Sequence, residues 1–518
     1  MSTQSTNDAA ERIVGFLSQA ASYPDRPVSV QVVETHISWV FLTDRYAYKL
    51  KKPVRFEFLD FSTAALRHHA CDEELRLNRR LTHKVYLDVL PITEDAHGVL
   101  ELAGPGSAVD WVVRMRRLPA DRALDVILQK NCLSASVATA IAEHLVQFYV
   151  NLPCTRVTAD DYCRALVRHV RANEAALVRA LPDFRRVIGA QLRYLAVQSE
   201  QVGDRVATGR VVDGHGDLRP EHIYAEDPPA VIDCIEFSEE LRRIDIADEL
   251  SFLAMECRRL GDGGFGELVL AKYRSASGDA IPEPLLTFYC GYRACVRAKV
   301  AVLRGQQWPG VANRPVGTLA EQYFELAESC AAALGPPSLL FLGGLPGSGK
   351  STLAKEFTDA TGAELFSTDE LRRSMFGPSP TPAAYNEGIY RPEVRSQVYE
   401  ELFRRARHAL ASGRSVVLDG AFPTRRLRRQ AYDLGAGLGA ATMFVLCKCS
   451  RQTALARIKQ RAHAEVSNSE ARAEFFELQA NEFESPAAHD VAVAVDTMRS
   501  KLEQLHVVCH ELKRLLFD

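Results

Sequence analysis

No apolar run in this 518-residue chain approaches the roughly 18 residues that a membrane span needs. Residues 1–24 have neither the basic opening nor the apolar stretch of a secretory leader. The net charge is −3, so no global basic field draws the chain to nucleic acid or to an anionic membrane. The 12 cysteines form no framework: Cys447 and Cys449 are two apart, Cys290 and Cys295 five apart. No CxxC pair recurs and no histidine pair completes a zinc spacing, so reduced thiols in a cytoplasmic protein are expected. Internal repeats and low-complexity segments are also missing. What remains is an ordinary globular composition, 47% apolar and 25% charged, long enough for two to four domains.

A short amphipathic helix is expected near residues 8–20, with Ile13, Phe16 and Leu17 on one side. Residues 28–51 then turn β-rich and read as a hairpin around Thr43-Asp44-Arg45. A helix opens near Ser62-Thr63, and strands flank the loop at Gly104-Pro105-Gly106. From Ala123 the pattern is helical up to Leu334, broken by a β-rich island at 210–237. Strands first and helices second indicate an α+β domain. Gly335-Pro336-Pro337 breaks the chain, and after it strands and helices alternate in the βαβ rhythm of a parallel sheet. The expected division is an N-terminal helical segment at 1–27, an α+β domain at 28–334 and an α/β domain at 335–518. The α+β domain divides into a small lobe at about 28–120 and a helical large lobe at about 121–334.

The most specific motif lies at the start of the α/β domain. Residues Gly344-Leu345-Pro346-Gly347-Ser348-Gly349-Lys350-Ser351 fulfil G-x-x-x-x-G-K-[ST], after the apolar strand 338–342 and before a helix. Gly344, Gly347 and Gly349 let the backbone wrap so that N–H groups face phosphate, and Pro346, Ser348 and Thr352 complete the expected nucleotide-binding set. Lys350 is expected to reach the β- and γ-phosphates, and Ser351 to ligate magnesium. Asp369, after the second strand, is placed to act as base on a hydroxyl, with Arg372 one turn away; a helix N-cap is its other reading. Asp419 ends the apolar run Val416-Val417-Leu418 and is a candidate for the magnesium shell. Arg457 and Arg461, spaced i and i+4, are candidates for a phosphate-neutralising lid. The run Arg425–Arg429 is either an anion contact or a charged helix start.

Together the phosphate loop, S-T-D-x-x-R at 367–372, V-L-D-G at 417–420 and R-x-x-x-R at 457–461 resemble the small P-loop kinases. That branch groups gluconate-kinase-like enzymes, chloramphenicol phosphotransferase, zeta toxins and polynucleotide kinases. The resemblance covers about 338–500 and implies ATP as the nucleotide, with GTP left open, and Mg2+.

A second constellation precedes it. His215-Gly216-Asp217 is followed by His222 and, eleven residues later, by the strand-end Asp233. One carboxylate, Asp217, fits a base for a hydroxyl, and the other, Asp233, fits a metal ligand. A phosphate-binding lysine is then expected on an early strand: Lys49, with Lys51 as its rival on the same face. A helix carboxylate should pair with it, Glu74 in preference to Glu73. The set resembles the aminoglycoside phosphotransferase and choline kinase superfamily over roughly 28–330, with His-Gly-Asp-Leu at 215–218 as its opening. The resemblance implies a protein-kinase-like fold, Asp217 as catalytic base, Asp233 as magnesium ligand and Asp245 and Asp248 as braces. His222 stands where the family carries a metal-binding Asn, the loop at 34–38 lacks glycine, and Glu236 is a candidate substitute oxygen ligand.

The expected protein is thus a protein-kinase-like α+β domain followed by an α/β P-loop domain with a parallel sheet. The expected activity is ATP-dependent phosphoryl transfer to a hydroxyl of a small molecule. Two alternatives are a P-loop kinase or ATPase regulated by a non-catalytic N-terminal domain, and a polynucleotide 5'-end kinase. Nucleic acid is not the favoured partner, and a membrane is not expected.

Overall fold

The computed structural model describes residues 3–56, 59–307, 316–377, 388, 391–462, 473–486 and 493–517. The chain forms two compact units, Met1–Val157 with Arg205–Tyr289, and Thr158–Asp204 with Cys290–Asp518.

The first unit is built on an antiparallel six-stranded sheet. In spatial order its strands are Gln31–Glu34, Ser38–Leu42, Tyr46–Lys51, Ser107–Arg116, Tyr86–Glu94 and Leu100–Leu102. One face of the strand Tyr46–Lys51 sends Tyr48 and Leu50 into a cluster with Leu17, Tyr23, Phe41 and Val112. Leu17 and Ile13 come from the first helix, Thr3–Leu17, as the apolar spacing predicted. The other face carries Ala47 against Cys71, Val85 and Met115. Lys49 and Lys51 share that face by the period of two, and it is covered by the helix Ala64–Asn78. Thr63 caps this helix, its hydroxyl accepting the N–H of Leu66. Short strands at 211–213, 223–224, 230–231 and 243–245 replace a continuous sheet in the rest of the unit. Their loops carry His215, Asp217 and Asp233 between helices such as Ala135–Asn151 and Ile246–Arg259.

The second unit holds an all-parallel five-stranded sheet. Its order is Glu364–Ser367, Val416–Asp419, Ser338–Gly343, Ala441–Lys448, Val493–Asp496. Both faces are buried, as such a sheet requires. Leu339, Phe341, Val416 and Phe444 lie on one side, Leu340, Leu342, Val417 and Val445 on the other. The central strand Ser338–Gly343 is buried throughout, which is why it reads as an unbroken apolar run.

Packing does not divide the chain at Gly335-Pro336-Pro337. The helices Ala159–Ala180, Phe184–Val197 and Val316–Ala333, expected in the N-terminal large lobe, belong to the compact unit of the parallel sheet. The reason is a close approach: Gly189 lies on Phe184–Val197, and a Cβ built at Gly362 would stand 3.5 Å from its Cα. Val197 joins the core beneath Leu340 and Leu342. Among the described residues, no helix is long and apolar enough to cross a membrane.

Candidate functional site

In the first unit the sequence candidates converge. Lys49 Nζ donates to Glu74 Oε1 at 2.8 Å and to Asp233 Oδ1 at 2.6 Å, so it ties the sheet to the helix and to the Asp233 loop. Lys51, fully buried, donates to Glu74 Oε2 at 2.6 Å and pairs with Glu236. The two lysines therefore share one carboxylate, while Glu73 turns outward to Arg76. Glu236, a candidate oxygen ligand by sequence, is instead buried against Lys51. Desolvation lowers the Lys49 ammonium, but Asp233 and Glu74 outweigh it and hold it well above the usual lysine range. Desolvation likewise pushes the Asp233 carboxyl up, and Lys49 and His222 more than offset it, keeping it ionised far below the usual carboxylate range. Asp233 adopts φ +65°, a left-handed conformation uncommon outside glycine. Its N–H donates to the Tyr86 hydroxyl at 3.1 Å, and Cys234 N–H to the Asn78 side chain at 3.0 Å, which hold the bend.

Asp217 faces this group from the other loop. His222 Nδ1 lies 2.9 Å from the Asp217 carbonyl, which can only accept, so Nδ1 carries the proton. Nε2 is then the acceptor, 3.0 Å from Arg219 Nη2 and 3.5 Å from Asp233 Oδ2. Arg219 Nε also donates to Asp217 Oδ2 at 3.0 Å. Sequence reasoning passed over Arg219, although it sits inside the motif. It also missed Glu249, whose carboxylate accepts the N–H groups of His215 at 2.5 Å and Gly216 at 2.6 Å. The bracing expected of Asp245 and Asp248 is divided differently. Asp245 caps the helix Ile246–Arg259 and pairs with Arg205, while Glu249 on that helix grips the His215 loop.

His215 is buried, with Nε2 on the Ile232 carbonyl at 2.9 Å and Nδ1 accepting the Asp217 N–H at 3.3 Å. Burial, then His222, pushes it down from 6.5 to about 4. A folded pKa below the unfolded one gives stability that is full above about 6.5 and is lost as pH falls toward 4. Relative to wild type, His215→Gln should remove a stability slope approaching ~1.4 kcal/mol per pH unit across that window. Urea denaturation at a series of pH values reads it; equal slopes in the two proteins would refute the assignment.

In the second unit the phosphate loop joins the strand Ser338–Gly343 to the helix Lys350–Thr361. Lys350 Nζ donates to the carbonyls of Gly344 and Leu345, both at 2.9 Å. Pro346, Gly347, Ser348 and Gly349 are buried along the loop, and Ser351 and Thr352 are exposed on the first helical turn. The loop is held from outside by Thr497, whose hydroxyl donates to the Ser348 carbonyl at 2.7 Å. Arg457 donates to Thr497 O at 2.8 Å and to Gly347 O at 3.4 Å, which places it on the loop. The side chain of Arg461 lies outside the described residues. Asp419 ends its strand beside Ser351 and is buried. Burial pushes its carboxyl above the usual range, against a hydrogen bond from Ser351 and the charge of Lys350. Asp369 is not the helix cap: Ser367 caps Thr368–Phe376, and Asp369 binds Arg372 at 2.7 Å. The run at 425–429 is not a uniform basic face, because Arg428 is fully buried and donates to the carbonyls of Phe422 and Glu484.

Gly347 shows why the motif needs glycine. Its φ is +72°, and a Cβ there would meet the Ala454 carbonyl oxygen at 2.4 Å. Gly347→Ala should cost about 1–3 kcal/mol of strain and weaken ADP binding at least tenfold, roughly the equivalent of 1.4 kcal/mol. Gly437→Ala, where nothing lies within 4 Å, is the matched control. Calorimetric titration of ADP into both variants checks this.

The oxygen donors Ser351 and Asp419 suit magnesium. In the first unit Asp233 offers oxygen but His222 offers nitrogen, a poorer match. Among the described residues, no group of three or more His, Cys, Asp or Glu side chains forms a ready metal cluster.

These two arrangements can be set beside known proteins. The protein Rv2004c of Mycobacterium tuberculosis is 33% identical over 494 residues, spanning 92% of this chain and 95% of its own. Mb2027c of Mycobacterium bovis matches to the same extent. The chain belongs to the family of these mycobacterial proteins. The AAA domain family model matches residues 339–486. Among solved structures, a gluconokinase from Sinorhizobium meliloti 1021 is 22% identical. The match covers 35% of this chain and 94% of that one, with a TM-score of 0.26. A choline/ethanolamine kinase family protein from Mesorhizobium loti is 13% identical, covering 64% and 99%, with a TM-score of 0.38. The AAA domain match falls on the unit with the parallel five-stranded sheet, and the antiparallel six-stranded sheet precedes it in the chain.

Proposed function

We propose that the chain is an ATP-dependent phosphotransferase with two centres, each moving the γ-phosphoryl group of ATP to a hydroxyl of a small molecule. The observation that carries the reading is Lys49, held between Glu74 at 2.8 Å and Asp233 at 2.6 Å, with His222 standing 3.5 Å from Asp233 and 3.8 Å from Asp217. A lysine fixed by a helix carboxylate is positioned to receive phosphate oxygens, and Asp217 to orient an acceptor hydroxyl. In the second centre the loop N–H groups and Lys350 bind phosphate, Asp369 orients the acceptor, and Arg457 neutralises charge from the loop's flank. Magnesium, held by Asp233 in one centre and by Ser351 and Asp419 in the other, would shield charge on the phosphates. Among the described residues no cysteine is joined in a disulfide, and a reducing, cytoplasmic setting is part of this proposal.

One observation favours a second reading, in which the N-terminal domain binds nucleotide without turnover and regulates the other. Arg219 engages both Asp217 Oδ2 and His222 Nε2 at 3.0 Å, which lowers the availability of each. The deciding experiment measures ATP turnover and transfer to a panel of sugars, nucleosides, metabolites and aminoglycosides. It compares wild type, Asp217→Ala and Lys350→Ala. If neither substitution lowers any transfer, the phosphotransferase reading is wrong. If only Lys350→Ala does, the regulatory reading replaces two-centre catalysis.

A further inference from the structure

The nucleotide loop and its carboxylates sit at the carboxyl ends of the parallel strands. At the opposite ends, within the same unit, lies a cleft of about 280 Å³. It is close to the size of the smaller small-molecule pockets, ~300 Å³. Its walls are the helix Phe184–Val197, the end of Val316–Ala333, and the turns that lead into strands Glu364–Ser367 and Val416–Asp419. The strands are four to six residues long, so roughly 13–20 Å separate the cleft from the phosphate loop.

The lining is unbalanced in charge. Arg185, Arg186, Arg193 and Arg414 face it, against Glu328 and Glu364 only, an excess of two positive charges. Arg186 pairs with Glu328 and Arg414 with Glu364, and Arg185 stands 3.9 Å from Glu364. Arg193 is 3% exposed and pairs with no carboxylate among the described residues. It donates to Ser415 Oγ at 3.1 Å, to Gly335 O at 2.9 Å and to Leu334 O at 3.5 Å. Burial alone pushes its guanidinium down to about 10, the mark of a cation without a counter-charge. Arg186 Nε, also buried, has no acceptor among the described residues.

Leaving a guanidinium buried and uncompensated is costly, and a bound anion removes that cost. A phosphate monoester carries about −1.5 to −2 charges at neutral pH, matching the excess, whereas a simple carboxylate carries half as much. We propose that this cleft is a second ligand site, distinct from the nucleotide loop, for a dianionic phosphate group, free or as a small phosphate monoester. Its walls are the turns that enter two strands of the sheet, and Asp419 lies at the far end of one of them.

Equilibrium dialysis of radiolabelled inorganic phosphate and of glucose 6-phosphate tests the site. The full chain carries Lys350→Ala, so that the phosphate loop does not dominate. Saturable binding is expected, weakened roughly tenfold by Arg185→Ser, the loss of about one charge-assisted hydrogen bond. Arg193→Gln should abolish it. Arg185 is 55% exposed at its side chain, so its variant remains folded even if the Arg193 variant does not. Tighter binding of inorganic phosphate assigns the site to the free ion, and tighter binding of glucose 6-phosphate to a monoester. No saturable binding, binding indifferent to Arg185→Ser, or acetate competing as well as phosphate would each overturn the proposal.

Discussion

Lys350→Ala should lower ATP turnover by the C-terminal domain roughly 10²–10³-fold, the scale set by removing one preorganised donor from a developing charge. In the structure Lys350 Nζ bridges the carbonyls of Gly344 and Leu345, so its ammonium already lies over the loop. The loop itself is tied from behind by Thr497 and Arg457. The variant should therefore keep its fold and lose phosphate contact. Thermal melting within about 1 kcal/mol of wild type, together with the lost turnover, is the expected pair of results. Turnover unchanged by the substitution would mean that the loop at 344–351 is not the working nucleotide site. A residual activity that then disappears with Asp217→Asn would belong to the N-terminal centre, which makes the double variant the cleanest way to apportion the two.

The phosphate loop was legible because it is local: eight consecutive residues, a buried strand before them and a helix after. Lys49, Glu74, Asp217 and Asp233 were legible as a spacing, because strand period and loop length limit where such residues can meet. What stayed hidden has a common cause, namely contacts made between distant segments. Lys51 looked like a rival to Lys49, yet both bind Glu74, and Glu236 closes the second pair from 185 residues away. Glu249 sits on an apolar helix face, where a buried carboxylate has no signature until the N–H groups it accepts are seen. Thr497, after the edge strand of the parallel sheet, holds the phosphate loop and accepts from Arg457, which the sequence offered only as a lid cation. The helices at 159–197 were assigned by their place in the chain, whereas the glycine contact at 189 and 362 decides their packing.

Asp217→Asn should lower phosphoryl transfer by the N-terminal centre roughly 10²–10⁴-fold, with nucleotide affinity little changed, as expected for loss of a general base. Asparagine preserves the size of the side chain and can still accept from Arg219 Nε through its oxygen, so the loop geometry should persist. The arginine makes the experiment more discriminating. Arg219 donates to Asp217, to Glu221 and to His222 Nε2, so it holds three acceptors in one fan. If Asp217 works as a base while that fan is closed, Arg219→Ala should leave transfer within a few fold, because the carboxylate keeps its charge. If the fan blocks the acceptor hydroxyl, Arg219→Ala should raise transfer, and Asp217→Asn should cancel the gain. Both outcomes assign catalysis to Asp217, and they differ on whether Arg219 restrains it. Transfer that survives Asp217→Asn unchanged in the Lys350→Ala background, with or without Arg219, would leave the N-terminal centre no role for this carboxylate as a base.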